Sequence, residues 1–291
     1  MFFHPEGIAL ARRSSPAPEP VIDLLDFRPC SNDEQRPQAL ADLVREHGLR
    51  GQACVCVLQP SDYQLTQLEA PAVPDAEMRS AVRWRLKEFL TYRVEDAVVD
   101  ACDIPPAKGR PGPRMMLAVA APRRRVQAIC QAVELAGLAL TAIDIPEFAL
   151  RNLAAQVHDQ GGGVALVALS SAAGLITVTH DELLYLARGL EFGEQQLLAN
   201  PAYADTLVLE LQRSLDYYES QLATWPASRV LLAPTLGDRG QLLARMNEQM
   251  GLTSYAMELD QLVELRGEFR PELQARALYA VGAALRAEGA A

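Results

Sequence analysis

Ser170 and Ser171 follow the apolar run Val164–Leu169, and a serine at a strand end is where an acyl-transfer nucleophile can sit. Such a hydroxyl needs an imidazole within reach. His4, His47, His158 and His180 read as a chain end, a helix stop, a linker and a turn, so none is placed to activate either serine. Cys54 and Cys56 alternate along a strand and share a face, which is half of a tetrahedral zinc set. No CxxC pair or His/Cys cluster supplies the other half, and both read as small core residues. His180-Asp181-Glu182 reads as a tight turn. The chain has no GxxxxGK[ST], no GxGxxG after a strand, no HExxH and no GxSxG. The remaining polar group of interest lies on a helix. Glu210 and Arg213 stand at i and i+3, with Asp216 beside Tyr217 and Tyr218.

The element carrying that group is predicted over Leu207–Trp225. Leu207, Leu211, Leu215, Tyr218 and Leu222 recur at spacings of four, four, three and four, the period of a buried helical stripe. Around it, 49% apolar and 22% charged residues in a 291-residue chain describe a globular protein with a real core. A net charge of -10 argues against non-specific nucleic-acid binding. Arg123-Arg124-Arg125 is the dense basic run; it opens a predicted helix and reads as a solvated helix start, short of a polybasic lipid-binding cluster. No apolar run reaches the ~18 residues of a membrane span, and no signal peptide is visible. The odd cysteine count, five, fits the cytosolic location expected on these grounds.

The expected order starts with strands near 6–12 and 21–27, separated by a Pro-rich turn over 14–18. A helix over 34–47 stopped by Gly48 and a buried strand over 55–59 follow. Residues 62–144 read as an insertion: strand 63–69, helix 75–90, strand 97–104, a Pro/Gly loop over 105–113, strand 115–120, helix 124–136 and strand 140–144. A helix over 146–157 returns to the main body. Gly161-Gly162-Gly163 marks a break. The second half then reads β-β-β-α-β-α-β-α, with strands near 164–169, 175–179, 183–187, 229–232 and 253–257 and later helices over 240–249 and 271–286. That order is the ribonuclease-H-like unit, two of which make an actin-like molecule. The first half reads as the same unit lacking its first strand. The fold class expected is therefore α/β and actin-like: a first lobe from 1–61 and 145–160, an inserted α+β subdomain from 62–144, and a second lobe from 161–291.

Three segments carry a family resemblance. Ala81–Asp100, AVRWRLKEFLTYRVEDAVVD, is similar to the "AVxWE…IPYxxEEVVLD" segment of the PilM/MshI family. Leu117–Ala121, Ala136-Gly137-Leu138 and Ile143-Asp144 match its "vlvaA…aGL…vD". The helix wording ELQRSLDYYESQ resembles the corresponding family helix and leans toward the MshI branch. These are actin-like cytoplasmic components of type IV pilus assembly systems, and the inserted subdomain corresponds to the FtsA-like 1C.

The resemblance implies where a nucleotide site should be. In actin-like folds two glycine-bearing hairpins hold phosphates, each with an Asp that organises magnesium and water, and a third glycine-rich turn packs on adenine. This chain departs at all three. It is expected to begin at about strand two, with Glu6-Gly7-Ile8, so that the first loop is absent. At the second loop Ala168 replaces the Asp and Ser170 the first Gly. At the third, Ala233-Pro234-Thr235-Leu236 replaces "GGxA", with Gly237 a residual turn. Ser170, Gly174 and Gly237 are the remaining candidates of a degenerate nucleotide site. Catalysis and metal binding are not expected, and ATP belongs to the alternative reading as an actin-like ATPase. A third reading is the cytoplasmic part of a type II secretion assembly protein. The resemblance implies a scaffold that docks the N-terminal tail of a PilN-like single-pass inner-membrane protein, with the pilus assembly ATPase, the platform protein and self-association as further contacts. The expected place is the cytoplasmic side of the inner membrane. Candidate tail contacts are Val55, Val57, Leu58, Trp84, Phe89 and Tyr92, all residue types that also build cores. Glu210, Arg213 and Asp216 are expected to be structural or partner-contacting, on a helix near the cleft.

Overall fold

The alternating and continuous apolar runs of the sequence become two five-strand units of identical order in the computed structural model, which describes residues 1–14, 20–105, 112–157, 161–222 and 225–287. The first unit starts with β1 (Phe2–His4), β2 (Gly7–Ser14), β3 (Val21–Pro29), α1 (Arg36–Glu46) and β4 (Ala53–Val57). The insertion adds β5 (Gln64–Glu69), α2 (Asp75–Leu86), β6 (Ala97–Ile104), β7 (Met115–Pro122) and α3 (Arg123–Ala136). Then come β8 (Ala139–Asp144) and α4 (Pro146–Ala154). The second unit is β9 (Gly163–Leu169), β10 (Gly174–His180), β11 (Leu183–Leu190), α5 (Glu194–Ala199), α6 (Ala202–Tyr217), β12 (Ala227–Leu232), α7 (Gly240–Gln249), β13 (Ser254–Ala256), β14 (Glu264–Leu265) and α8 (Pro271–Ala284). Most of the Pro-rich turn and of the 105–113 loop, and His158, lie outside the described residues.

The sheets run β3-β2-β1-β4-β8 and β11-β10-β9-β12-β13, each antiparallel through its first three strands and parallel in the last two pairings. Two sequence expectations are corrected here. The first strand is present: Phe2–His4 pairs with β2 on one side and with β4 on the other. It is too short to show a period of its own. Strand β8, assigned from sequence to the insertion, is the fifth strand of the first sheet, so the insertion's own sheet is the three-stranded β5-β7-β6. α3 likewise packs with α1 against the first sheet, through Ile129, Val133, Leu40 and Leu43.

Local chemistry explains the ends. Gly137 closes α3 at φ 79°, with Leu138 N–H reaching back to Val133 O at 3.2 Å. Asp181 and Glu182, both at positive φ, form the two-residue turn between β10 and β11. α2 ends at Leu86, four residues before the expected stop.

The two sheets share one apolar core with α4 and α8 between them. Phe2, Ile22 and Val57 come from one sheet, Leu166, Leu175 and Leu231 from the other, and Leu150, Leu153, Leu278 and Val281 from the helices. α8 meets α4 backbone to backbone: a Cβ on Gly282 would lie 2.2 Å from Ala149 O, and Asn152 Nδ2 donates to Gly282 O at 2.9 Å. After β13 the chain crosses back, and β14 joins the far edge of the first sheet beside β3.

The apolar stripe of α6 is buried, as its period predicts, in a second cluster with α7 on the outer face of the second sheet. That placement corrects the expectation that this helix flanks the cleft, where α4 and α8 lie instead. Tyr218, fully buried, follows α6 in a short π-helical turn over Tyr218–Leu222. Glu210 pairs with Arg188 at 2.7 Å and with Arg213 at 3.0 Å, and Asp216 is exposed.

Candidate functional site

The cleft between the lobes opens where the β1–β2 turn faces the β9–β10 turn, and it encloses about 160 Å³. Several donors of the loops that could hold a phosphate are committed elsewhere. The β1–β2 turn is Pro5-Glu6, since His4 pairs with Gly7. Pro5 has no N–H, and Glu6 N–H donates to His4 Nδ1 at 3.0 Å. The Glu6 carboxylate pairs with Arg276, which holds its pKa below the usual value. Burial pushes the His4 imidazole down to about 4, so it is neutral.

In the β9–β10 turn, Ser170 N–H donates to Ala173 O at 2.8 Å, and Ala173 N–H donates to Ser170 Oγ at 3.2 Å. The start of α5 lies over this turn. Glu194 and Gln195 N–H donate to Ser170 O and Ser171 O at 2.8 and 3.0 Å. Gly193 permits that approach, because a Cβ there would lie 2.2 Å from Ser170 O. In the third loop, Leu236 N–H donates to both carboxylate oxygens of Glu194 at 3.1 Å, and Thr235 Oγ1 donates to Gly237 O at 2.8 Å. Burial raises the Glu194 pKa against the opposing pull of the Leu236 and Gly237 amides. Deeper in, Tyr63 Oη donates to Glu147 at 2.6 Å. Burial raises Glu147 to about 7, and the phenol only partly offsets this. Ser170 and Gly174 therefore do line the cleft, and Gly237 closes the loop beside it. What they surround is a narrow space with three carboxyl groups on its wall or in its turns, where the lining cation Arg276 is already paired.

A second depression, about 510 Å³, lies where the insertion leaves the first lobe. Its walls are the approach to α1, the 59–62 connection and the first turn of α3. Arg125 bridges them, reaching Asp33 at 2.9 Å and Asp62 at 2.8 Å. Arg36 pairs with Asp33 at 2.7 Å, donates to Pro5 O at 3.3 Å and is buried, with Nη1 lacking a hydrogen-bond partner. Arg124 is exposed and makes no ion pair among the described residues. No side chain caps the first-turn amides of α3. The groove thus offers fixed guanidinium and N–H donors, with carboxylates already partnered.

The structure does not bring the six sequence-nominated contacts together. Val57 and Leu58 are fully packed, the first in the interlobe core and the second in the outer core of the first lobe. Val55 is half-buried and its carbonyl accepts from the N-terminal ammonium at 2.7 Å. Trp84 in the last turn of α2 and Phe89 just after it are exposed, and Tyr92 is half-buried against the insertion's core. None of them lines the groove, which is made by Arg36, Gln59, Asp62, Arg124 and Arg125. The signal for it was Arg123-Arg124-Arg125. Asp26, Glu46 and His47 place ligand-type atoms within 4.8 Å of one another, but His47 Nε2 is bonded to Asp26 at 2.7 Å and Glu46 is held by Arg28.

Residues 25–201 match the model of the type IV pilus assembly protein PilM family. The whole fold resembles a solved PilM–PilN type IV pilus biogenesis complex, at 20% identity and TM-score 0.75, covering 98% of this chain and 96% of that one. It also resembles the cytoplasmic domain of EpsL, an inner-membrane component of the Vibrio cholerae type II secretion system, at 12% identity and TM-score 0.51, covering 96% and 91%. A Bacteroides thetaiotaomicron protein with an actin-like ATPase fold and unknown function matches at 10% identity and TM-score 0.48, covering 81% and 82%. No curated protein sequence matches the chain. The fold is actin-like.

Proposed function

The chain belongs to the PilM family of type IV pilus assembly proteins, and from that premise we propose that it is a non-catalytic docking scaffold for the N-terminal tail of a PilN-like inner-membrane protein. The observation that carries the proposal is the 510 Å³ groove where the insertion leaves the first lobe. An extended tail presents carbonyl oxygens along its length. Arg124 and the uncapped start of α3 present donors to them, and Arg125, fixed by its ion pairs with Asp33 and Asp62, loses little freedom on binding. Charge-assisted bonds from guanidinium groups are the strong class of such contacts. A PilM relative is solved in complex with PilN, which supports a partner of that kind.

The absence of catalysis is part of the proposal. Its support is the cleft, where turn amides are spent on Ala173, His4 and Glu194, and where Glu6, Glu147 and Glu194 stand close to any incoming phosphate. No Asp remains in either hairpin to organise magnesium. The wording SLDYYESQ at the end of α6 and in the π-helical turn after it supports the MshI branch, and hence a mannose-sensitive-haemagglutinin-type pilus. No helix among the described residues is long and apolar enough to cross a membrane. The proposed place is the cytoplasmic face of the inner membrane, reached through the partner's tail. The test is titration of the protein with peptides copied from the N-terminal tails of PilN-like proteins encoded beside it. Saturable binding is expected for one of them, and no binding to any would overturn the docking role.

A further inference from the structure

α2 uses one face and leaves a second unexplained. Met78, Val82 and Leu86, spaced by four, are buried on the insertion's sheet. The last turn and the residues after it carry Arg83, Trp84, Arg85, Lys87 and Phe89. Trp84 is 64% exposed and Phe89 51%, and Lys87 Nζ lies 5.5 Å from the centre of the Trp84 ring. Arg79 is paired with Asp100 and Arg93 with Glu95, whereas Arg83, Arg85 and Lys87 make no ion pair among the described residues. From 83 to 89 three cations accompany one carboxylate, Glu88, in a chain whose net charge is -10.

Cations in the last turn suit the helix dipole. That accounts for the charges and leaves the two aromatic rings in water without a reason. We infer that this end of α2 is a contact site for an anionic lipid bilayer. Indole and phenyl rings settle at the headgroup level of a membrane, and unpaired Lys and Arg beside them meet lipid phosphates. On a body of opposite net charge, such a patch also fixes which side faces an anionic surface. Arg123, at the start of α3, donates to Glu95 O at 3.5 Å and Ala97 O at 3.4 Å, which ties the segment that follows the patch to the first lobe.

The test uses the whole chain and no tail peptide, so its failure leaves the groove untouched. Vesicles of phosphatidylethanolamine with phosphatidylglycerol are compared with vesicles of phosphatidylcholine by co-sedimentation. Binding is expected to the anionic vesicles alone, and it should weaken as salt is raised. Arg83→Glu/Arg85→Glu/Lys87→Glu should weaken it about tenfold or more, and Trp84→Ala/Phe89→Ala should also weaken it, with melting temperatures of both variants near that of the parent. In a Trp225→Phe background the Trp84 emission should shift to the blue on binding. Failure to sediment with anionic vesicles overturns the inference, as does equal sedimentation of the variants. A self-associated species that Trp84→Ala/Phe89→Ala dissolves, without vesicle binding, would overturn it in favour of a contact between copies.

Discussion

Glu147→Gln should stabilise the protein at alkaline pH and not at acid pH. Glu147 sits in the first turn of α4, 6% exposed, with Tyr63 Oη donating to it at 2.6 Å. Burial raises its pKa from 4.5 to about 7. The folded protein therefore holds this proton more tightly than the unfolded chain does. The stabilisation that follows is fully present below 4.5, declines as pH rises toward 7, and is gone above it. At 1.36 kcal/mol per pH unit the span corresponds to about 3 kcal/mol. Gln carries no charge, and its amide oxygen can still accept from Tyr63. Urea midpoints of both proteins at pH 5 and pH 8 give the difference between them, in which the other carboxylates cancel. The variant should gain about 2–3 kcal/mol on the parent between those two pH values. A difference that stays flat with pH, or a variant that loses stability at pH 8, would refute the reasoning about burial of this acid.

Gly282→Ala should cost about 1–3 kcal/mol, because overpacking a site that cannot relax forces backbone apart; the new Cβ would lie 2.2 Å from Ala149 O, and a thermal melt reads the loss. Millimolar ATP with magnesium should leave the melting temperature unchanged, since the cleft presents committed amides and carboxyl groups; a clear upward shift would contradict the non-catalytic reading. Asp62→Ala should lower stability and also weaken tail binding, since it removes one of the two carboxylates that hold Arg125; stability and peptide titration together measure this.

The second lobe was readable because its punctuation is local. β9 is a continuous apolar run behind three glycines, the β10–β11 turn carries Asp181 and Glu182, and the bounds of α7 coincide with the expected 240–249. β1 and β14 were not readable, since strands of three and two residues exist only through their neighbours. β1 is a strand because β2 and β4 complete its ladder, and β14 because the chain returns to the edge of β3. The same locality decided the sites. Substitution of the family's glycines and acids was visible in sequence, but the closing of the vacated cleft by Glu194 and Gly193 was not, because it joins α5 to loops on two other strands. Arg125 looked like a solvated helix start until the fold brought it to Asp33, 92 residues away. Apolar residues were nominated for the groove, and the fold used most of them as core and left Trp84 and Phe89 on another surface.

The most direct test of the docking groove is calorimetric titration of one PilN-like tail peptide into the parent protein and into Arg124→Glu. Arg124 is exposed and unpaired among the described residues, so its reversal should leave the fold and melting temperature intact. Loss of a charge-assisted contact and its replacement by repulsion should weaken binding roughly tenfold or more. Equal affinity of the two proteins for the tail would place the binding site outside this groove.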